Sequence, residues 1–334
     1  MRVLVTGCGG FIGSEIVRQL LSRGDQVIGI GRRDCPRLVA LGMTQRTGDL
    51  TDGSFLRSAI RDADAVIHVA AKAGVWGPWQ AYYRINTWAT EQILAACRES
   101  GIRRLVYTSS PSVTFAGQDQ SGEDESAPYP RRWLAAYPKS KALAERSVLA
   151  AHRPGEFDTC ALRPHLVWGE DDPHLLPRIV DRARRGRLAI IGSGRNRIDT
   201  VHVINAAAAH LDALDALAEH PDRSGGRAYF ITQDEPVDCW EWIGTICDIA
   251  GAPRPTRRVG FRAAYAIGAA CELVYGAARI GREPPMTRFV ACQLAKDHYF
   301  DISAARQRLG YRIRHSLAEG LDRLREFWPR SGGR

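Results

Sequence analysis

The sequence predicts an α/β protein, built as a doubly wound parallel sheet with a smaller C-terminal lobe. Over residues 1–164, short β-branched runs alternate with longer stretches of helical periodicity, which is typical of a parallel sheet covered by helices. A glycine-rich turn follows the first of these runs, as expected where a strand passes into a helix. After Pro164 the alternation weakens and prolines and glycines punctuate shorter pieces, so we place the lobe there. A chain of 334 residues, 45% of them hydrophobic, is long enough for both units.

The individual elements follow from this alternation. Strands are predicted at residues 3–6, 26–30, 44–47, 65–69, 105–108 and 159–162. The first helix is predicted over 11–23, because Gly24 is a C-terminal stop. A helix at 203–218 and a strand at 229–232 are expected to return to the sheet. We therefore expect a first domain of residues 1–164, completed by about 198–235, and a discontinuous lobe of residues 165–197 and 236–330.

One stretch of the lobe, residues 263–280, is unusually apolar for this chain. Glu272 and Arg279 interrupt it, and it is short for a membrane-spanning helix. We expect a buried helix that lines an apolar pocket, and contact with a membrane surface is the alternative.

Composition excludes several classes of protein. Charged residues make up 25% of the chain and no apolar run approaches eighteen residues, which indicates a soluble protein without a spanning helix. The N-terminus begins with a strand-like run, so we expect no signal peptide and a cytoplasmic location. The net charge of +9 suits an anionic partner, but the arginines are scattered and not interleaved with aromatic residues, which argues against nucleic-acid binding. The eight cysteines form no C-x-x-C pair and no cluster with histidines, so we expect reduced thiols and no metal site.

The glycine turn indicates a dinucleotide site. Gly7 permits the tight turn, Gly10 lets the backbone N–H groups approach a pyrophosphate, and Gly13 allows the helix and the strand to pack closely. The helix that starts at Phe11 and Ile12 directs its positive end at the phosphates.

The end of the second strand favours NADP(H) over NAD(H). Gly31 stands where an acidic residue would bind the 2'-hydroxyl of NAD, and the guanidinium groups of Arg32 and Arg33 follow it. The alternative is that both arginines are solvated turn residues and that Asp34 binds a ribose, which leaves NAD(H) open.

Further cofactor contacts are expected after the third and fourth strands. Asp49 and Leu50 are placed beside the adenine, and Ala70, Ala71 and Lys72 beside the cofactor's ribose.

A second group of residues indicates proton transfer. Tyr137 and Lys141 lie four positions apart on one helix face, and a nearby cation should lower the pKa of a phenol toward neutrality. Ser110 follows the fifth strand at the crevice where ligands bind and is expected to polarise a carbonyl, with Ser109 nearer the cofactor. Asn86 is interpreted as the holder of a relay water for Lys141, or alternatively as a cap or a helix–helix hydrogen bond.

Together, these residues resemble the extended short-chain dehydrogenase/reductase superfamily, and the resemblance covers nearly the whole chain. Segments 71–77, 107–113 and 162–169 are similar to its 3β-hydroxysteroid dehydrogenase-like branch. Segments 174–178 and 285–289 resemble the 2-alkyl-3-oxoalkanoate reductases of bacterial long-chain olefin biosynthesis, which form the 3-hydroxy acid.

The resemblance implies reduction of a hydrophobic β-keto acid by NADPH. It implies that Ser110 anchors the substrate oxygen, that Tyr137 delivers the proton, and that Lys141 restores it through the ribose and a water. Pro164 is expected at the cofactor. The chain departs from the family at Ala89, where many relatives have glycine, and at Ser110, where the olefin-pathway enzymes have threonine.

The substrate residues are less well defined. Trp76 and Trp133 are expected to enclose an alkyl chain or a sterol, and His165 and Arg178 to meet a carboxylate. The segment 118–133 is interpreted as a mobile loop at the pocket mouth. Relatives of this kind commonly form homodimers, which we expect here, and a complex with other pathway enzymes is left open.

Three alternatives remain at this point. A 3β-hydroxysteroid or sterol-4-carboxylate dehydrogenase would use the same groups. A nucleotide-sugar dehydratase is disfavoured because Pro111 and Ser112 replace its acid and base, and an epimerase because Leu166 replaces a diphosphate-binding asparagine. A non-catalytic NADP(H) sensor or scaffold has no need of the Tyr137, Lys141 and Ser110 set.

Overall fold

The computed structural model describes residues 1–328, so positions 329 and 330 of the predicted lobe lie outside the described residues. Fifteen strands lie within residues 1–328: β1 Arg2–Thr6, β2 Gln26–Gly31, β3 Thr44–Thr47, β4 Ala65–His68, β5 Arg104–Thr108, β6 Gln120–Glu123, β7 Asp158–Pro164, β8 Val167–Trp168, β9 Ile190–Ile191, β10 Arg197–Ile198, β11 Val201–His202, β12 Ala228–Ile231, β13 Val237–Asp238, β14 Arg258–Val259 and β15 His298–Phe300.

The same residues form fourteen α-helices, a π-helix at Tyr83–Trp88 and a 3₁₀ turn at Pro111–Val113. The α-helices are α1 Phe11–Ser22, α2 Pro36–Ala40, α3 Gly53–Ile60, α4 Trp79–Tyr82, α5 Ala89–Glu99, α6 Ala136–Ala151, α7 Leu175–Arg184, α8 Val203–Glu219, α9 Pro221–Ser224, α10 Cys239–Ile249, α11 Phe261–Ala277, α12 Arg288–Ala295, α13 Ser303–Leu309 and α14 Leu317–Phe327.

Seven parallel strands form the main sheet, in the order β12-β7-β5-β4-β1-β2-β3. The first strand, β1, lies inside the sheet. Its residue Leu4 pairs with Ile28 of β2 on one side and with Val66 of β4 on the other. The strand order reverses next to β1, and in such a sheet the crevice at the carboxyl ends of the strands at this point is where ligands bind. The predicted fold class is confirmed.

Helices cover both faces of this sheet because its strands are apolar on both sides. Val3 and Val5 belong to the core beneath α1, α8 and α13, whereas Leu4 between them belongs to the core beneath α3, α5 and α6. All three side chains are inaccessible to solvent, and each such residue contributes about 1.5–3 kcal/mol of burial free energy. Helix α8 and strand β12, from the segment 198–235, both pack on this sheet.

The smaller lobe has its own apolar core, formed by α7, α10 and α14 with short strands at their ends. Trp168 and Trp242 meet edge to face there, with ring centroids 5.9 Å apart. Its segments come from before and after α8 and β12, and the lobe is therefore discontinuous in sequence.

The segment 118–133 differs from the mobile loop expected of it. Residues Gln120–Glu123 form β6, which pairs in parallel with β15. Glu125 Oε1 then accepts a hydrogen bond of 2.8 Å from the backbone N–H of Phe230, on the outer strand of the main sheet. The strand pairing and this side-chain hydrogen bond hold the segment in place.

Helix α11 also differs from expectation, since its apolar surface is mostly exposed. Ala264 and Gly268 are buried, and a Cβ at Gly268 would lie 2.6 Å from a backbone carbon of the turn before α12. Leu273 and Val274 are 74% and 59% exposed, so the prediction of a buried helix was wrong for this face. Within residues 1–328, none of the helices combines the length and apolar character needed to cross a bilayer.

Candidate active site

The glycine turn after β1 leaves no room for side chains. Gly7 has a φ of +68°, and a Cβ there would lie 2.9 Å from the Cα of Ala70. A Cβ on Gly13 would lie 2.2 Å from the carbonyl oxygen of Gly7, and one on Gly10 would lie 3.2 Å from the same oxygen. This backbone arrangement is the cradle that a pyrophosphate needs.

Helix α1 begins directly after this turn. Its N-cap residue, Gly10, has no side chain with which to cap the helix. The first N–H groups, on Phe11 and Ile12, have no carbonyl partner of their own within the helix and lie at the positive end of its dipole. The residues here therefore fit a bound dinucleotide.

The turn after β2 presents two cations. Arg32 and Arg33 are both exposed. Asp34 is also exposed, and its Oδ1 accepts a hydrogen bond of 3.3 Å from the hydroxyl of Thr47.

Asp49 lies after β3, at the same edge of the sheet. A hydrogen bond of 2.8 Å from the backbone N–H of Thr51 lowers the pKa of this carboxyl, and the charges of Arg84 and Arg32 act in the same direction. The next residue, Leu50, packs against the core under α3.

The segment after β4 passes close to the glycine turn. The N–H of Ala70 donates to the hydroxyl of Thr6 at 3.2 Å, and Ala71 follows as an exposed residue. The N–H of Lys72 donates to Asn86 Oδ1 at 2.7 Å.

The Asn86 side chain, buried within the π-helix, is fully occupied by protein partners. Besides accepting from the Lys72 N–H, it donates to the Lys72 carbonyl at 3.0 Å and to the Ser140 hydroxyl of α6 at 2.9 Å. These contacts correspond to the alternative of a hydrogen bond between helices. A relay role for Asn86 stays a prediction.

Tyr137 and Ser110 come together although they lie in different elements. Tyr137 is the second residue of α6, and Ser110 follows β5 and caps the 3₁₀ turn. Ser110 Oγ lies 2.9 Å from Ser112 Oγ. Burial raises the pKa of Tyr137, and hydrogen bonding by the nearby Ser110 hydroxyl opposes this shift.

Lys141 lies one helical turn further along α6, where its side chain is buried. Its Nζ donates to the carbonyl of Thr108 at 2.5 Å and lies 4.2 Å from the ring centroid of Tyr107. Burial lowers the pKa of Lys141 to about 7, although Glu145 acts in the opposite direction. The expected lowering of the phenol pKa of Tyr137 is absent in this structure, because loss of water around the phenol dominates.

Ser109 and Pro164 lie at the carboxyl ends of neighbouring strands. The N–H of Ser109 donates to the carbonyl of Leu162 at 2.6 Å, but its buried hydroxyl has no partner within the described residues. Pro164 ends β7 opposite Ile231. An unpaired hydroxyl at this position also fits a ligand with polar groups.

An apolar cluster lies beside Ser110 and Tyr137. We define it by the residues Val75, Phe115, Leu134, Ala135, Phe261, Tyr265, Phe289, Val290 and Cys292. Phe115 connects it to the turn at Ser110, and Ala135 to the start of α6. Phe115 and Phe289 meet edge to face with centroids 5.8 Å apart, so the cluster joins the main domain to the lobe.

The two predicted substrate tryptophans flank this region. Trp133 directly precedes two members of the apolar cluster, and its buried Nε1 has no partner within residues 1–328. Trp76 follows Val75, and its Nε1 donates to the carbonyl of Ile280 at 2.9 Å. Trp76 therefore ties the segment after β4 to the end of α11.

The structure disagrees with His165 as a carboxylate-binding residue, whereas this role of Arg178 stays a prediction. His165 is buried, its Nε2 is 2.7 Å from Nδ1 of His298, and burial lowers its pKa well below the usual range. A neutral imidazole in a core has no charge to offer a carboxylate. The guanidinium of Arg178 is paired with Glu283, so its charge is already compensated.

Two residues that the sequence analysis overlooked support this site. The Tyr82 hydroxyl donates to the Trp76 carbonyl at 2.9 Å, and its ring lies 6.5 Å from that of Tyr137. Glu145 forms a buried ion pair of 2.6 Å with Arg163. Its position, four residues after Lys141 on the same helix, was a signal available in the sequence.

Comparison with known proteins agrees with this geometry. Residues 4–259 match the profile of the 3-beta hydroxysteroid dehydrogenase/isomerase family. The chain is 44% identical over 327 residues to a 2-alkyl-3-oxoalkanoate reductase of Shewanella oneidensis, which covers 96% of this chain and 84% of that protein. It is 43% identical to the protein of the same name from Stenotrophomonas maltophilia, over 97% and 98% of the two chains. The predicted resemblance and the predicted class, an oxidoreductase, are confirmed.

More distant relatives widen the comparison. The sterol-4-alpha-carboxylate 3-dehydrogenase, decarboxylating, of Mus musculus is 32% identical over 96% of this chain and 88% of its own. Among solved structures, MoeE5 in complex with UDP-glucose and NAD superposes with a TM-score of 0.74 at 28% identity, covering 99% of both chains.

Proposed function

Because the chain belongs to the 3-beta hydroxysteroid dehydrogenase/isomerase family, we propose that it is an NADPH-dependent reductase of a 2-alkyl-3-oxoalkanoate, forming the 2-alkyl-3-hydroxyalkanoate. The observation on which this proposal depends is the hydroxyl pair of Tyr137 and Ser110 beside the apolar cluster. The pair supplies a proton donor and an oxygen anchor, and the cluster supplies a surface for alkyl chains.

The proposed cofactor residues are those of the glycine turn and of the strand ends next to it. Gly7, Gly10 and Gly13 hold the pyrophosphate, and Arg32 and Arg33 bind the 2'-phosphate of NADP(H) through charged hydrogen bonds. When bound, the nicotinamide supplies the hydride. The crystallised relative that contains NAD supports a cofactor of this kind, and the two exposed arginines support the phosphorylated form.

In the proposed reaction, the substrate oxygen takes hydrogen bonds from Ser110 and Tyr137. The two hydroxyls are close enough for Ser110 to act on the pKa of Tyr137, so a substrate oxygen at this position has both donors within reach. As negative charge develops on that oxygen, Tyr137 transfers its proton to it. Lys141, held at the Thr108 carbonyl, lies one turn from the phenol and serves to reprotonate it.

The apolar cluster supports a substrate with long alkyl chains. Phe115 and Phe289 are buried members of this cluster. The half-buried Trp133 directly precedes two of its other members in the sequence. The name shared by the two bacterial relatives at 43–44% identity favours the alkyl β-keto acid. A sterol is the second candidate, favoured by the murine sterol dehydrogenase at 32% identity and by the same apolar surface.

Loss of NADPH absorbance with a panel of substrates tests the proposal. The panel contains 2-alkyl-3-oxoalkanoates of several chain lengths, the corresponding esters, a 3-ketosteroid and a nucleotide sugar. We expect turnover of the alkyl β-keto acids with NADPH and much slower turnover with NADH. Turnover restricted to the ketosteroid would favour the sterol enzyme, and tight NADPH binding without turnover of any ketone would favour a sensor.

A further inference from the structure

Two cysteines meet at the edge of the glycine turn. Cys8 lies inside this turn and Cys35 is the N-cap of α2, just after the two exposed arginines. Cys35 lies 27 positions after Cys8 in the sequence, and its thiol is close enough to that of Cys8 to contribute to the raised pKa of Cys8. Cys8 is fully buried, whereas Cys35 is partly exposed.

Neighbouring backbone fixes the position of both sulfur atoms. A Cβ on Gly9 would lie 2.6 Å from Cys35 Sγ, and a Cβ on Gly31 would lie 3.5 Å from Cys8 Sγ. Cys35 Sγ also lies 3.6 Å from the carbonyl oxygen of Arg33, to which it donates. The two thiols therefore bridge the glycine turn and the turn after β2.

We propose that Cys8 and Cys35 form a reversible disulfide that acts as an oxidation site at the cofactor-binding edge of the sheet. Neither the family nor the reductase activity requires such a bond. The partly exposed position of Cys35 makes it the thiol that an oxidant reaches first.

Hydrogen peroxide is a sufficient oxidant. The Cys35 thiol attacks peroxide, the O–O bond breaks, and Cys35 becomes a sulfenic acid with release of water. The Cys8 thiol then attacks the sulfenic sulfur, the S–S bond forms and a second water leaves. Both thiols are oxidised by two electrons in total, and one peroxide is reduced to two waters. Burial raises the pKa of Cys8 to about 12, so the second step is the slower one.

The bond would move the turn that contains Arg32 and Arg33. A sulfur–sulfur bond is about 2.05 Å long, well below the contact distance of two thiols. The glycine turn is packed against backbone on several sides, whereas residues 32–34 are exposed. The exposed turn therefore shifts, and NADPH binding weakens; this consequence rests on the function proposed above.

Mass spectrometry of the full-length protein tests the bond itself. We expect hydrogen peroxide to remove about two mass units, with a peptide linking Cys8 to Cys35, and dithiothreitol to restore the original mass. The variants Cys8→Ser and Cys35→Ser should not form this linked peptide, whereas Cys271→Ser, which alters a thiol on α11, should form it as the wild type does. Peroxide treatment that leaves Cys8 and Cys35 unlinked would overturn the proposal.

Calorimetric titration with NADPH tests the consequence separately. We expect the oxidised wild type to bind NADPH at least fivefold more weakly than the reduced protein, and Cys35→Ser to be unaffected by peroxide. Equal affinities of a confirmed disulfide form would refute the effect on the cofactor. A reduced protein that binds no NADPH would count against the proposed function. Whether Cys8 and Cys35 form a disulfide would still be decided by the presence or absence of the linked peptide.

Discussion

Single side chains around Tyr137 have distinct physical tasks. The Ser110 hydroxyl acts against the raised pKa of the phenol, while Lys141 is turned toward the backbone carbonyl of Thr108. Asn86 uses its whole amide to hold the segment after β4 against α6. The proposed proton donor thus lies next to a set of buried hydrogen bonds, and each of these residues can be tested on its own.

Tyr137→Phe removes the proposed proton donor and keeps the ring. General acid catalysis contributes about 10²–10⁴-fold, so we expect turnover to fall by about 10³-fold with NADPH affinity unchanged. Steady-state kinetics and a binding titration check this. Tyr83→Phe, on an exposed residue, is the matched control and should behave as wild type. Activity of Tyr137→Phe near that of the control would rule out this role.

Replacing Arg32 and Arg33 together by alanine tests the choice of cofactor. Two charged hydrogen bonds to a phosphate are worth about 1.5–3 kcal/mol each, so the dissociation constant for NADPH should rise by at least about 100-fold. NADH, which lacks the phosphate, should bind as before. Titration of both cofactors measures this, with Arg61→Ala, at the C-cap of α3, as the control. Equal losses for NADPH and NADH would contradict phosphate binding.

The buried ammonium of Lys141 gives the fold a specific pH dependence. Burial lowers its pKa from 10.5 to about 7, so between these values the unfolded chain binds more protons than the native one. The free energy of unfolding should therefore increase as pH rises from 7 to 10.5, and decrease again as pH is lowered to 7. Urea unfolding of wild type and Lys141→Met at pH 7 and pH 9.5 measures it. We expect the wild type to gain relative to the variant at pH 9.5, and an equal response of both proteins would contradict the assignment.

At the level of elements, the turn from β1 into α1 is the most constrained part of the site. Gly13 is helical, yet its Cα lies so close to the Gly7 carbonyl that a methyl group cannot fit. Tight backbone packing, rather than an unusual conformation, therefore requires glycine at this position.

Gly13→Ala should disturb both stability and cofactor binding. The new Cβ would lie 2.2 Å from a backbone oxygen, so the turn must shift, and we expect at least about tenfold weaker NADPH binding and a lower unfolding midpoint. Gly276→Ala on α11 is a matched control, because nothing lies within 4 Å of its added Cβ. Alanine favours helix by up to about 1 kcal/mol, so the control should be slightly more stable. A stable, tightly binding Gly13→Ala protein would contradict the predicted clash.

The sequence predicted regular elements well where periodicity and local chemistry coincide. All seven strands of the main sheet were located, and the helix after the glycine turn was predicted to end one residue later than it does. Strand β6 escaped notice because Gln120–Glu123 contains no β-branched or aromatic residue and because its partner, β15, lies far along the chain. The π-helix contains Asn86, whose side chain bonds to Lys72 and Ser140. No local sequence pattern predicts such contacts.

At the scale of the whole molecule, the apolar cluster joins the sheet domain to the lobe. Phe115 comes from the first and Phe289 from the second, and their rings are in contact. The proposed substrate surface therefore exists only when both parts are folded and packed together.

Phe289→Ala should change the preference for chain length. Removal of the ring takes away contact area for long alkyl chains, so KM should rise by about 10-fold for long substrates and little for short ones, at similar kcat. The loss of a buried phenylalanine also costs about 3–5 kcal/mol of stability, and thermal unfolding must show that the variant is folded at the assay temperature. An equal effect on all chain lengths would place the alkyl chain elsewhere.

The part of the site that the sequence misassigned depends on a distant contact. His165 follows a sheet strand as a ligand-binding residue would, but its imidazole meets His298, which is 133 positions away. The charge of Arg178 is compensated by Glu283, which is also remote in sequence. Tyr137, Lys141 and Ser110 could be proposed from the sequence because helix spacing and strand ends are local features.

The hydrogen bond from the outer strand of the main sheet to the Glu125 carboxylate affects how this border of the sheet can pair with other chains. Strands at a sheet border expose N–H groups that can recruit a foreign strand and start polymerisation. By occupying the Phe230 N–H, Glu125 removes one such docking point from β12. The opposite border, β3, is made of the polar sequence Thr44–Thr47. Both borders are thus poor templates for fibre growth.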